Sequence, residues 1–364
     1  MRKFFSGLSA IGLTISVATA PSVAEEAPSP ALAEPATPNE VIAAAPASDW
    51  LRIVPADLVV MNLAPDPEGK ARQVVIQLIT APFSQGWSNN IRKLVASRWY
   101  DGIAVVRVQD NYVVQWGDPD GEAPDKAKPL PAGLREVPES EYTARLGRPL
   151  PDAATPPTIN PLDPVVVHKE FARNDERARI TALSPRKDAY AAGTGVMLGW
   201  PVAFDQASGE DDHTPSSAAR IWPVHCYGMV GVGRNLSPDT GTGAELYVVI
   251  GQAPRQLDRN IALVGRVIAG IEHLSSLPRG TGELGFYETP QERTPIVSVR
   301  MGNEVAGLPA YEYLATDSAS FAAYANKRAN RKDDFYIQPA GGVDVCNVPV
   351  PVREVGAALK RAGM

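Results

Sequence analysis

Of 364 residues, just two are cysteine, Cys226 and Cys346. Neither belongs to a CxxC pair, so zinc ribbons and thioredoxin-like redox chemistry have no ligands or dithiol to use. Histidine is scarce too. His168, His213, His225 and His273 never fall at i, i+4 spacing and read as ordinary surface or core residues, not as a helical metal pair. A phosphate loop is also lacking, because "GMVGVG" (228 to 233) has three glycines without GxGxxG spacing or a strand-to-helix unit. Ser184-Pro185-Arg186-Lys187 has the SxxK spacing of serine acyl enzymes, yet no companion motif appears and Pro185 sits where a helix should run. Positive charge is in deficit, with 35 Lys and Arg against 41 Asp and Glu and a formal charge of −6. That balance argues against nucleic acid or anionic lipid as the main partner. No nucleophile, metal or cofactor motif stands out, so any chemistry here has to need none, and no cofactor is expected.

Long apolar runs are few. Residues 1–24 carry Arg2 and Lys3, then "FFSGLSAIGLTISVATA", then Ser22-Val23-Ala24, the pattern of a removable secretory signal. No later run reaches membrane-spanning length, so the mature chain is expected not to span a membrane, and the secretory signal is expected to export it to the periplasm. Residues 25–49, "EEAPSPALAEPATPNEVIAAAPASD", are Ala, Pro and Glu with little to bury and read as a semi-extended tether, with order beginning near Trp50. An exported chain either joins its two cysteines, pinning the tail to the centre, or buries two free thiols; both stay open here.

Two β-like runs, "LVVMNL" (58 to 63) and "QVVIQLI" (73 to 79), flank a Pro-Asp-Gly loop and predict a hairpin. Ser88 is placed to cap a helix whose Ile91, Leu94 and Val95 form one apolar stripe, ended by Gly102. "WYDGIAVVRVQDNYVVQWGDPDG" (99 to 121) supplies two more strands. Residues 122 to about 221 lack sustained periodicity and read as a loop-rich insertion, with a short helix around "HKEFARNDERARI". Strands return in "VHCYGMVGVG", "AELYVVIG", the start of "IALVGRVIAGIEHLSSL" and "PIVSVRM". Beyond Gly302, "TDSASFAAYANKRAN" reads as a helix and "VCNVPVPVREV" as extended chain. Short strands with few helices imply a mainly β protein, a closed or nearly closed β-barrel capped by helices. In strict alternation, Ile103, Val105 and Arg107 share one face, and Val113 and Gln115 share a face of the next strand. Arg107 and Gln115 can then meet over one patch. The strand pattern alone favours the plainer reading, an arginine on a solvent-facing strand paired with an acidic neighbour.

The 99 to 121 stretch resembles the cyclophilin-type peptidyl-prolyl isomerases. It keeps Tyr100-Asp101-Gly102, Arg107-Val108, Gln115, Gly117-Asp118-Pro119 and Gly121 at that family's spacing. A second block, 228 to 274, is similar through Met229, Tyr247, Leu257-Asp258, Gly265-Arg266-Val267 and Gly270. The resemblance covers about residues 50–120 and 222–302 and is nearest to secreted bacterial cyclophilins. It implies a cyclophilin-like domain over 50–302, with the insertion inside it and a C-terminal extension over 303–364. It also implies rotation about X-Pro bonds in proline-containing segments of exported or unfolded proteins, assisting their folding. Arg107 would be the catalytic donor and Gln115 would hold the substrate carbonyl. Tyr112, Val113, Met229, Val230, Glu245, Tyr247, Leu257 and Ile261 would line the proline slot. The chain departs from the family pattern at Gln256 (an aromatic position), Ile261 (histidine), Glu245 (glutamine), Gly231 (asparagine) and Trp116 (glycine). Glu245 places a carboxylate where a salt bridge to Arg107 could restrain it. These departures leave a second reading, a peptide-binding module with weak or no isomerase activity.

Overall fold

The computed structural model describes residues 37–145, 167–173, 176–183, 188–205, 220–332 and 335–356. The leader, most of the tether, His213 and the Ser184–Lys187 motif lie outside the described residues, as do the side chains of 167–182, His168 among them. The chain opens with helix α1 (Pro38–Ala44), β1 (Trp50–Arg52), β2 (Leu58–Leu63), β3 (Arg72–Leu78), α2 (Gln85–Ala96), β4 (Ala104–Val108) and β5 (Val113–Gly117). The insertion contributes β6 (Ala144–Arg145), β7 (Val167–Arg173), β8 (Glu176–Ala182), β9 (Gly193–Met197), β10 (Trp200–Phe204) and β11 (Arg220–Pro223). Then follow β12 (Met229–Val232), β13 (Leu246–Val249), β14 (Leu263–Ala269), α3 (Glu272–Ser275), β15 (Thr294–Met301), β16 (Tyr311–Leu314), α4 (Ala319–Ala329) and β17 (Val352–Glu354).

Eight strands close a barrel in the order β12-β13-β5-β4-β15-β2-β3-β14, so it has no free edge. Its interior is the alternate set of apolar side chains, including Val105, Val108, Val114, Trp116, Val230, Val248, Val264 and Val299. Trp116, which stands where the family has glycine, is thus a core filler. Helix α2 covers one end with the stripe Ile91, Leu94 and Val95, all buried, and adds Trp87. The helix starts a turn earlier than Ser88 suggests. Gln85 donates to the Ile79 and Phe83 carbonyls at 3.1 and 2.8 Å and shapes the entry, while Ser88 is buried in the first turn.

Three sequence expectations need correction. The end of the supposed tether is ordered as α1, because Thr37 and Glu40 form a reciprocal capping box and Pro38 occupies the first turn. The insertion, read as loop-rich with one short helix, also contains among its described residues strands of a six-stranded sheet ordered β6-β11-β10-β9-β8-β7. The expected helix around 168–180 is the β7–β8 hairpin, in which Val167 pairs with Ala182 and Arg173 with Glu176. Ladder pairing to a neighbouring strand overrides local helix propensity there.

Insertion and tail share a second core. Trp200, Val202, Ile221 and Trp222 pack with Trp50, Phe321, Tyr324, Val345 and Val348. The barrel meets it through Arg266 on β14, whose guanidinium donates to Gln77 at 3.0 Å and to the Gly199 carbonyl at 2.8 Å, with the Trp200 ring centroid 4.8 Å away. The tail is held in three ways: β16 lies between β1 and β17, α4, a helix as the sequence predicts, packs Phe321 and Tyr324 into the second core, and Cys226 and Cys346 form a disulfide across 120 residues. Closing so long a loop restricts the unfolded chain. The Cys226→Ala/Cys346→Ala variant is therefore expected to lose about 2–5 kcal/mol of unfolding free energy, read by urea denaturation with and without reductant; equal stability of the oxidised wild type and the variant would contradict this.

Candidate functional site

The site lies on the outer wall of the barrel, where β4, β5 and β13 run side by side. Arg107 pairs with Gln115, and Gln115 pairs with Tyr247. Strict alternation fails in β4. Register slips between Val105 and Arg107, leaving Val106 as the extra residue of a bulge. Val105 and Val108 both enter the barrel core, and Arg107 emerges on the outside, not on the face of Ile103 and Val105. The segment Glu283–Phe286 lies along this bulge: Phe286 bridges to Arg107 and Tyr287 N–H donates to the Val106 carbonyl at 2.9 Å.

Arg107 is half-buried and held from three sides. Its Nε donates to the Leu284 carbonyl at 2.8 Å, one terminal nitrogen donates to Gln115 Oε1 at 3.1 Å, and the other donates to Gln109 Oε1. The Phe286 and Tyr112 ring centroids lie 5.0 and 5.5 Å from the guanidinium carbon. A guanidinium has more N–H groups than these three acceptors use, so hydrogens remain for a substrate. Burial pulls its pKa below the ordinary value, while Tyr112 and the Glu245 carboxylate push it back up. Arginine stays charged through any working pH.

Gln115 passes the interaction on. Its Nε2 donates to Glu245, which fixes its Oε1 toward Arg107. The contact that Glu245 could make with Arg107 runs through the amide, from Arg107 to Gln115 and from Gln115 to Glu245. Burial raises the Glu245 pKa above the ordinary carboxylate range, opposed by the Gln115 hydrogen bond, raised further by Glu122 and lowered by Arg107.

Beside this polar row sits a small apolar cluster separate from the barrel interior. Val113, Tyr247 and Val249 are buried, with Tyr112 and Ile261 packed against them. Leu257 ends the turn Arg255–Leu257 and accepts the Ile261 N–H at 3.2 Å, so it stands next to Ile261. Gln256 is exposed on the same turn. The structure thus brings together Arg107, Gln115, Glu245, Tyr112, Val113, Tyr247 and Ile261, with Leu257 at the border. Met229 and Val230 are placed elsewhere: Met229 packs into the second core and Val230 into the barrel interior, because successive residues of β12 point to opposite sides. Gln109, the Leu284 carbonyl and Phe286 hold Arg107 without any motif signal; Phe286 lies 179 residues further along the chain.

Among the described residues no group of three or more His, Cys, Asp or Glu is placed to hold a metal ion, and no helix is long and apolar enough to cross a membrane. Residues 74–301 match the family described as cyclophilin type peptidyl-prolyl cis-trans isomerase/CLD, a span that runs from β3 to the last residue of β15. Among solved structures, cyclophilin AquaCyp293 from Hirschia baltica is similar with a TM-score of 0.57 and 20% identity, covering 84% of this chain and 92% of that one. A cyclophilin type peptidyl-prolyl cis-trans isomerase from Cryptosporidium parvum, solved with the dipeptide Ala-Pro, overlaps at a TM-score of 0.33 and 12% identity, over 66% of this chain and 98% of that one. No curated protein matches in sequence.

The raised Glu245 pKa has a pH consequence. A carboxyl raised in the folded state favours folding most below its unfolded pKa, and that contribution is lost as pH rises through the folded value. In the same window, acidification removes the negative charge that faces Arg107 through Gln115. Isomerisation kcat/KM is expected to rise by about 2–5-fold as pH falls through a value above the ordinary carboxylate range. Glu245→Gln should be flat over that window and match the acid limb; a variant with the wild-type pH profile would contradict this.

Proposed function

Because the chain belongs to the cyclophilin-type peptidyl-prolyl cis-trans isomerase family, we propose that Arg107 is the group that turns the X-Pro bond and that the clients are exported proteins folding in the periplasm. The uncatalysed barrier, about 18–20 kcal/mol, is the amide resonance lost on twisting. Rotation makes and breaks no bond, so a catalyst has to favour the twisted amide, whose prolyl nitrogen regains its lone pair. The observation that carries this reading is the guanidinium beside an apolar cluster, braced by Leu284, Gln109 and Gln115 with hydrogens to spare.

Each group then has a distinct role. The proline ring enters the slot of Val113, Tyr247 and Ile261, with Tyr112 and Leu257 at its rim. Gln115 Nε2 is occupied by Glu245, so Gln115 works mainly by holding Arg107 in place. Arg107 donates to the amide nitrogen as it pyramidalises or to the adjacent carbonyl; being fixed beforehand, it costs no reorganisation in the transition state. Two features support export: the leader-like pattern of residues 1–24 and the Cys226–Cys346 disulfide, which suits an oxidising compartment.

A second reading, a peptide-binding module of low turnover, is favoured by the Glu245 carboxylate behind Gln115 and by exposed Gln256 in place of an aromatic wall. Arg107→Ala separates the two. Catalysis predicts a fall of about 10²–10³-fold in kcat/KM for a tetrapeptide with a central Ala-Pro bond, with an unchanged melting temperature and peptide Kd within a few-fold. An unchanged rate would sink the role of Arg107; peptide binding by the wild type without isomerisation would establish the binding module.

A further inference from the structure

Tyr247, the buried wall of the proline slot, is tied to a chain of buried polar groups that the slot's chemistry does not itself require. Its hydroxyl lies 2.8 Å from His225 Nε2. His225 Nδ1 lies 2.9 Å from Asp258 Oδ1, which also accepts the His225 backbone N–H at 3.1 Å. Asp258 Oδ2 accepts from Arg255 Nε at 2.6 Å, and the other two guanidinium nitrogens donate to Asp188 in the insertion at 2.8 and 3.2 Å. His225, Asp258 and Tyr247 are all buried. Because the Asp258 carboxylate only accepts, the imidazole donates from Nδ1, and in its neutral form Nε2 accepts the Tyr247 O–H. Burial also pushes the Tyr247 pKa well up, so the phenol keeps its proton.

The backbone beneath the ring fits the same arrangement. A Cβ at Gly231 would lie 2.3 Å from both Cζ and the hydroxyl oxygen of Tyr247. The tyrosine therefore occupies the volume that a side chain at 231 would need, and it reaches His225 over that glycine. Gly231 and Tyr247 are coupled: the departure to glycine at 231 leaves the room that the Tyr247 ring fills on its way to His225.

Building on the function proposed above, we propose that His225 and Asp258 are positioning residues for that function: they lock the Tyr247 ring as the slot wall, and Arg255 anchors the lock to the insertion through Asp188. His225 touches no substrate. Its effect passes through the tilt of one ring, so it sets how well the proline ring seats and leaves the Arg107 donor unaltered. Removing either partner deletes the same hydrogen bond, so the two deletions act on the ring as one and do not add. That non-additivity gives the test.

In the full chain, Tyr247→Phe and His225→Leu should each raise KM and peptide Kd by about 3–10-fold, with kcat within twofold, for the tetrapeptide with a central Ala-Pro bond. The double variant should lose no more than either single variant, because both substitutions remove the same hydrogen bond. Melting temperatures measured alongside separate this from plain destabilisation. A purely structural role would lower the melting temperature and leave KM and Kd unmoved, which would overturn the inference, as would a double variant whose losses multiply. Should His225→Leu fail to fold, the nearly isosteric Tyr247→Phe carries the same test, with unchanged KM and Kd the contrary result. A wild type that neither binds nor isomerises the peptide would overturn the proposed function itself, and the positioning role with it.

Discussion

The site depends on one irregularity, the bulge at Val106. A barrel interior accepts apolar side chains, and a strand of strict period two would carry Arg107 to the same side as Val105, inside it. One extra residue lets Val105 and Val108 both fill the core while Arg107 turns outward beside Gln115. The bulge also opens room for Glu283–Phe286, which returns a carbonyl and a ring to the guanidinium. A charged group held at the margin of an apolar cluster is the result. The same charge inside the barrel would meet a desolvation cost that no partner there offsets.

Around that irregularity the molecule is organised as two cores with polar ties between them. The barrel core is closed and local in its pairing. The second core collects the insertion, α1, β1 and the tail, and the disulfide fastens the last of these to the strand entry at Cys226. Two buried arginines cross from the barrel to the insertion: Arg266 to Gly199, and Arg255 to Asp188. Since Arg255 also grips Asp258, which holds His225, the added sheet is connected to the slot wall as well as packed against the barrel.

Much of the barrel was legible in the sequence because its signals are local. The β2–β3 hairpin, the β4–β5 pair and the α2 stripe follow from period-two and period-3.6 patterns within short windows. The meeting of Arg107 with Gln115 was read from strand alternation and the two residues do pair, although that alternation put Arg107 on the face of Ile103 and Val105, which the bulge undoes. What stayed hidden is non-local. The insertion's sheet joins Ala144 to Ile221, a pairing that no window of local pattern contains, and its strands are short and interrupted by Pro and Gly. Met229 and Val230 match the family motif by position, yet they point away from the slot. His225 reads as an ordinary core histidine until folding places Tyr247 and Asp258 on its two ring nitrogens.

The most direct measurement of the central claim is a crystal structure of the full chain with a bound X-Pro peptide. The account predicts the proline ring against Val113, Tyr247 and Ile261, with an Arg107 N–H within hydrogen-bond distance of the prolyl nitrogen or the adjacent carbonyl and the Leu284 and Gln115 contacts intact. A peptide seated elsewhere, or a proline in the slot with the Arg107 guanidinium turned away from it, would contradict the account.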